Sequence, residues 1–195
     1  LPVILSGSGF QLMLLISLVL ASFLEPGSIA RLYFADRLAQ FPLALSGASL
    51  AVVSLPRLSA LAARENSGEF RKVLDRSLSL SLFLALPASF GLAALRIPVL
   101  SLLFGHGSFT PENVLRTADI LLCFCPAIVA LALLSPLLSS YFARQHLQRP
   151  LAAAGIALAF FWVGSFLLVP ALGAPGIALA SSLGVWANVF ALLPG

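Results

Sequence analysis

In the stretch LYFADRLAQFP, Leu32 to Pro42, a tyrosine, an aspartate, an arginine and a glutamine stand among apolar neighbours. Tyr33, Asp36, Arg37 and Gln40 are spaced i, i+3, i+4 and i+7, which is one face of an α-helix. Asp36 and Arg37 are sequence neighbours and point about 100° apart around a helix, so they cannot pair well with each other. A guanidinium with no carboxylate beside it attracts anions, and its planar fork suits phosphate. Further along, the same face carries Ala44, Gly47, Ala51 and Ser54, all small. A helix starting near Ile29 places Arg37 about 12 Å along its axis. In a hydrocarbon layer roughly 30 Å thick, a charge at that depth costs at least about 2.5–3.5 kcal/mol. Two arrangements relieve the cost. Arg37 either lines a wet cavity that receives an anionic substrate, or it snorkels outward or pairs with a distant acid as structural glue.

The other polar residues carry less chemistry. Cys123 and Cys125 are two apart in an apolar run, so on a helix they face different sides, which suits packing rather than redox or metal chemistry. His106, in FGHGSFT, and His146, in ARQHLQRP, are loop histidines with no second ligand at metal spacing. Glu65, Glu69, Arg71, Lys72, Asp75 and Arg76 make a mixed-charge segment whose basic members suit anionic lipid headgroups. SGSG, Ser6 to Gly9, is not a nucleophile elbow. No H-E-x-x-H, Walker A motif or carboxylate pair occurs, so neither an enzyme nor a cofactor is expected.

The elements that hold these residues follow from composition. Of 195 residues, 60% are hydrophobic and only 9% are charged, and the mean hydropathy is +1.06. Soluble domains carry about 25% charged residues, so the chain reads as an integral membrane protein. Apolar runs near 20 residues recur without strand-like alternation, which implies helices and not a barrel. Six spans can be drawn, at about 3–24, 29–55, 73–95, 114–142, 151–169 and 177–193. The predicted fold is an all-α membrane bundle in one lobe. EPGS stops the first span and Pro56 the second, with Arg57 to Lys72 as a polar connector. Thr110, Pro111 and Glu112 mark a helix start as cap, first helical residue and first-turn acid. Pro42, Pro87, Pro126 and Pro136 fall inside spans, where a bundle tolerates them as kinks.

Charge sets the expected orientation. Arg57, Arg64, Arg71, Lys72 and Arg76 follow the second span, and Arg144 and Arg149 follow the fourth. The alternate connections are poorer in basic residues, so both chain ends are expected in the cytoplasm. The net charge of +4 is explained by topology, and no nucleic-acid partner is implied. The N-terminus has no basic region of the signal-peptide kind, and the chain reads as a piece of a longer membrane protein.

Four blocks in order carry a family resemblance. LASFLEPGSIARLYFADRLAQFPLALSGASLAVVSLPRLS, LFGHGSFTPENVLRT, YFARQHLQRP and LLVPALGAPGIALASSLGVWANVFALL resemble the MurJ/MviN family of lipid II flippases. The resemblance implies one six-helix lobe of a two-lobed exporter fold, in a bacterial cytoplasmic membrane, completed by an N-terminal lobe. It implies a lipid-linked pyrophosphate as substrate, with Arg37 matching the arginine of the ADRL motif and lining the cavity with Tyr33, Asp36 and Gln40. Related polysaccharide-lipid or drug exporters, or a scaffold that has lost transport, are the alternative readings. The sequence departs from the family at several positions. Gln11 is kept, but Met13 and Ser17 stand where an amide and an acid are usual. Phe161 and Ser165 occupy amide or acid positions near the end of the fifth span. His146 replaces an acid, and Gly105-His106 replaces Glu-Arg. Too few anionic oxygens remain for a sodium site, so no tightly held sodium is expected.

Overall fold

The computed structural model describes residues 2–44, 49–64, 67–107 and 109–193, with side chains from residue 11 onward except 49–54. Among them are seven helices: α1 (Pro2–Ser22), α2 (Ser28–Leu43), α3 (Ser49–Ala63), α4 (Ser67–Phe104), α5 (Pro111–Ala143), α6 (Gln148–Leu172) and α7 (Ala174–Leu192). Gly47, the side chains of Ala51 and Ser54, Glu65 and the side chains of SGSG lie outside the described residues. Among the described residues four helices, α4 to α7, are long and apolar enough to cross a membrane, and Gln11–Ser22 of α1 is apolar as well.

Helix α5 is the axis of the bundle, packing against α4, α7, α2 and α3. Thr110 caps it by accepting from the Asn113 amide at 3.4 Å, with Pro111 at the first position. Its buried side runs from Val114 through Ile120, Leu121 and Ile128 to Leu137 and Tyr141. Pro126 has no N–H to give, so one rung of the helical ladder is missing there. Neighbouring helices bind the carbonyls beside it. Ser182 of α7 donates to Cys123 O at 2.6 Å, Ser89 of α4 to Cys125 O at 2.7 Å, and Trp186 of α7 to Pro126 O at 3.1 Å. The segment around Pro126 is thereby stitched to two other helices.

Small residues bring α6 and α7 together, the close approach on which helix pairs in lipid rely. A methyl group at Gly176 would lie 2.6 Å from the Leu168 carbonyl, and one at Gly184 would lie 2.8 Å from Met13 Cε and 2.9 Å from the Ala157 carbonyl. Between these helices Gly173 turns the chain with φ 64, a left-handed value that favours glycine.

Helix boundaries differ from expectation in the first half. Pro56 does not stop a helix: it lies inside α3, which runs on to Ala63. The reason is burial, because Leu58 and Leu61, one turn apart, pack on Phe70 of α4. The expected connector at 57–72 therefore becomes the ends of two helices. Helix α4 likewise continues past Leu95 to Phe104, since Leu100 is fully buried in the main core. Arg96, a few residues earlier, donates to Ala93 O at 2.8 Å.

Candidate functional site

Helix α2 has two unlike sides. Ser28, Arg31, Leu32, Ala35, Ala39 and Pro42 are buried. Opposite, Tyr33 and Arg37 are exposed, while Asp36 and Gln40 are half-buried. The apolar i, i+3/4 pattern Leu32–Ala35–Ala39 seats the helix against the core, and this rotation presents the polar stripe on the other side. Leu38 is half-buried against the same core, away from that stripe.

The four polar residues form one connected chain. Gln40 Nε2 donates to Asp36 Oδ2 at 2.6 Å, and Arg37 Nη1 donates to Gln40 Oε1 at 3.4 Å. The Arg37 guanidinium carbon lies 4.9 Å from the centre of the Tyr33 ring, within cation–π range. Asp36 and Arg37 form no ion pair with each other. The Gln40 amide stands between them, with one end on each.

A cavity of about 440 Å³ opens beside this stripe. Asp36 and Gln40 of α2 and Ala44 at its C-cap wall it on one side, Phe124, Ile128 and Ser135 of α5 and Ser181 of α7 on the other. The expected residues therefore divide. Asp36 and Gln40 face the cavity inside the bundle, whereas Tyr33 and Arg37 stand on the open side next to it. The guanidinium is thus reachable from outside the bundle, and its long contact to Gln40 is weak enough to be displaced.

Sequence reading alone missed three features. Ser135 and Ser181 in the cavity wall come from α5 and α7, far from α2 in the chain, and their spacing gave no signal. Arg116 hydrogen-bonds to Glu25 across the fold and pairs with Glu112 at 2.8 Å. Only the Glu112–Arg116 partnership, at i, i+4, was readable from spacing. Arg31 is buried at 9% exposure, with Nη2 donating to Pro26 O at 2.9 Å.

Of the positions tied by resemblance to ion binding, Met13 and Phe161 fill their space with apolar side chains, while Ser17 and Ser165 keep buried hydroxyls. Phe161 is fully buried and Met13 nearly so, both in the core where α1, α6 and α7 meet. Ser17 donates its hydroxyl to Met13 O at 2.7 Å. His106 and His146 are exposed, and no group of three or more His, Cys, Asp or Glu gathers among the described residues.

Comparison with known proteins agrees with this architecture. The family described as "Lipid II flippase MurJ" matches residues 1–194. The probable lipid II flippase MurJ of Vibrio cholerae is 34% identical over 194 residues, covering 100% of this chain and 37% of that protein. Its counterpart in Thermotoga maritima is 38% identical over 173 residues, covering 89% of this chain and 36% of that protein. Among solved structures, a lipid II flippase MurJ in an inward closed conformation superposes with a TM-score of 0.88 at 26% identity, over 96% of this chain and 40% of that one. An outward-facing MATE family transporter shares the fold alone, with a TM-score of 0.78 at 18% identity. The chain spans a little over a third of the length of the curated relatives it matches. Matched from its first residue to its last but one, the chain belongs to the MurJ family of lipid II flippases.

Proposed function

We propose that the chain is one six-span lobe of a flippase that carries lipid II from the inner to the outer leaflet of the bacterial cytoplasmic membrane by alternating access. In this reading α2 and α3 together make the second span, and an N-terminal lobe faces the open side of α2. The observation that carries the proposal is the polar chain on that side, in a protein of this family. The Gln40 amide stands between the Asp36 carboxylate and Arg37, so the guanidinium is not compensated by a paired carboxylate. Resting on the Tyr33 ring, it is oriented but not neutralised. A lipid-linked pyrophosphate displaces the weak Gln40 contact and takes the fork in bidentate fashion. The lipid is moved and no covalent bond changes.

The placement of basic residues supports both chain ends being cytoplasmic. Arg144 of the α5–α6 connection lies over the Phe70 ring of α4 at 4.3 Å, so the two basic connections share one end of the bundle. A second reading, a scaffold that no longer transports, is favoured by the carbon packing of Met13 and Phe161 at positions the family uses for polar groups.

One experiment separates them. In cells depleted of their own lipid II flippase, the full-length protein is expected to restore growth. Arg37→Ala is expected to abolish rescue at unchanged membrane abundance, and Arg37→Lys to recover part of it. Rescue by Arg37→Ala would overturn the role of Arg37, and no rescue by the inserted wild type would favour the scaffold.

A further inference from the structure

At the end of the bundle opposite the basic connections lies a second cavity, of about 540 Å³, where the α1–α2 turn, the first turns of α5 and the α6–α7 turn converge. Its walls carry four charged groups: Glu25, Arg31, Arg116 and Asp119. Two of them satisfy each other, since Arg116 bonds to Glu25. The other two do not. Arg31 is nine-tenths buried; among the described residues its one hydrogen bond goes to the uncharged Pro26 carbonyl and its Nε has no partner. Asp119 is exposed on the cavity side of α5 and makes no ion pair among the described residues. Arg31 and Asp119 do not reach one another.

A buried guanidinium without a counter-anion is costly, and the cost is relieved by an anion that enters the cavity. A simple anion fits only half of the wall, because Asp119 would repel it. A group carrying both charges a few ångströms apart, phosphate toward Arg31 and ammonium toward Asp119, satisfies both. The surroundings are those of a lipid boundary: Leu172 in the cavity wall, and Phe23 next to the lining Leu24, are exposed and apolar. We infer that this cavity binds the zwitterionic phosphoethanolamine headgroup of a membrane phospholipid, at a site separate from the polar stripe of α2.

The test is native mass spectrometry of the full-length protein in detergent, offered equal amounts of dioleoyl phosphatidylethanolamine, phosphatidylcholine and phosphatidylglycerol. Phosphatidylethanolamine should be retained about fivefold over the other two, since only it presents both a phosphate and hydrogen-bonding ammonium protons. Arg31→Gln should reduce its retention about tenfold through loss of the charge-assisted contact. Asp119→Asn, on an exposed position that leaves the turn untouched, should erase the preference over phosphatidylcholine. That second variant decides the matter if Arg31→Gln fails to fold. Equal retention of the three lipids, stronger retention of phosphatidylglycerol, or an unchanged preference in Asp119→Asn would overturn the inference. So would retention of free glycerophosphoethanolamine as strong as that of the lipid, which would point to a soluble ligand.

Discussion

Gln40 separates two opposite charges that lie one residue apart in sequence. Its amide occupies Asp36 with a donor and Arg37 with an acceptor, an arrangement no carboxylate can copy. Gln40→Glu has almost the same shape but places an anion at the guanidinium and another beside Asp36. We predict that it inserts normally and loses flippase rescue as fully as Arg37→Ala, because Arg37 is then neutralised from within. Full rescue by Gln40→Glu would show that the charge of Arg37 is not used on the substrate. At the α1–α6–α7 junction the residue scale gives the opposite message. Hard cations want several oxygen ligands, and here Met13 and Phe161 occupy the space while the Ser17 hydroxyl is directed at its own helix. Thermal unfolding of the full-length protein should be the same in sodium and in potassium chloride at equal ionic strength. A rise specific to sodium would sink that expectation.

At the scale of elements, backbone approach and helix ends matter most. Because the Cβ of Gly176→Ala would meet backbone atoms of α6 at 2.6 and 2.7 Å, neither side can yield by a rotamer change. The α6–α7 pair must splay, at about 1–3 kcal/mol. A drop in melting temperature reports it, and an unchanged one would mean that the hairpin is looser than its geometry implies. The end of α5 offers the reverse case. His146 N bonds to Tyr141 O and Gln145 N to Phe142 O, both at 3.1 Å, the paired pattern of a Schellman cap. The residue in the left-handed position, where glycine is usual, is Gln145 with φ 57. Gln145→Gly should stabilise the protein by about 0.5–1 kcal/mol, the left-handed strain relieved less the added freedom of the unfolded chain. A lower melting temperature would contradict this.

For the whole molecule, polar chemistry divides between the two ends. One end gathers Arg71, Lys72, Arg144 and Arg149, and the other holds Glu25, Glu112, Arg116 and the exposed His106. Orientation follows if the basic end stays in the cytoplasm. In a background with Cys123 and Cys125 changed to alanine, Lys72→Cys should react with an impermeant thiol reagent only after the membrane is opened. His106→Cys should react in intact spheroplasts. The reversed pattern would invert the lobe and remove support for the proposed direction of transport.

Composition and periodicity alone determined that the chain is helical and membrane-bound, because an apolar surface this large has no other solvent and its backbone must bond to itself. They also placed Tyr33, Asp36, Arg37 and Gln40 on one face, since a 3.6-residue period is a property of the local chain. Local signals were less certain where burial competed with them. Pro56 reads as a stop, yet Leu58 and Leu61 gain enough by covering Phe70 to carry α3 past it. What only the tertiary structure decided is how the polar face is shared. The rotation of α2 against α5 turns Asp36 and Gln40 toward the inner cavity and leaves Arg37 on the open side. The same packing buries Arg31 at the far end, with Glu25 drawn to Arg116 from 91 residues away. Such pairings depend on where distant helices come to rest, and no spacing within one helix encodes them.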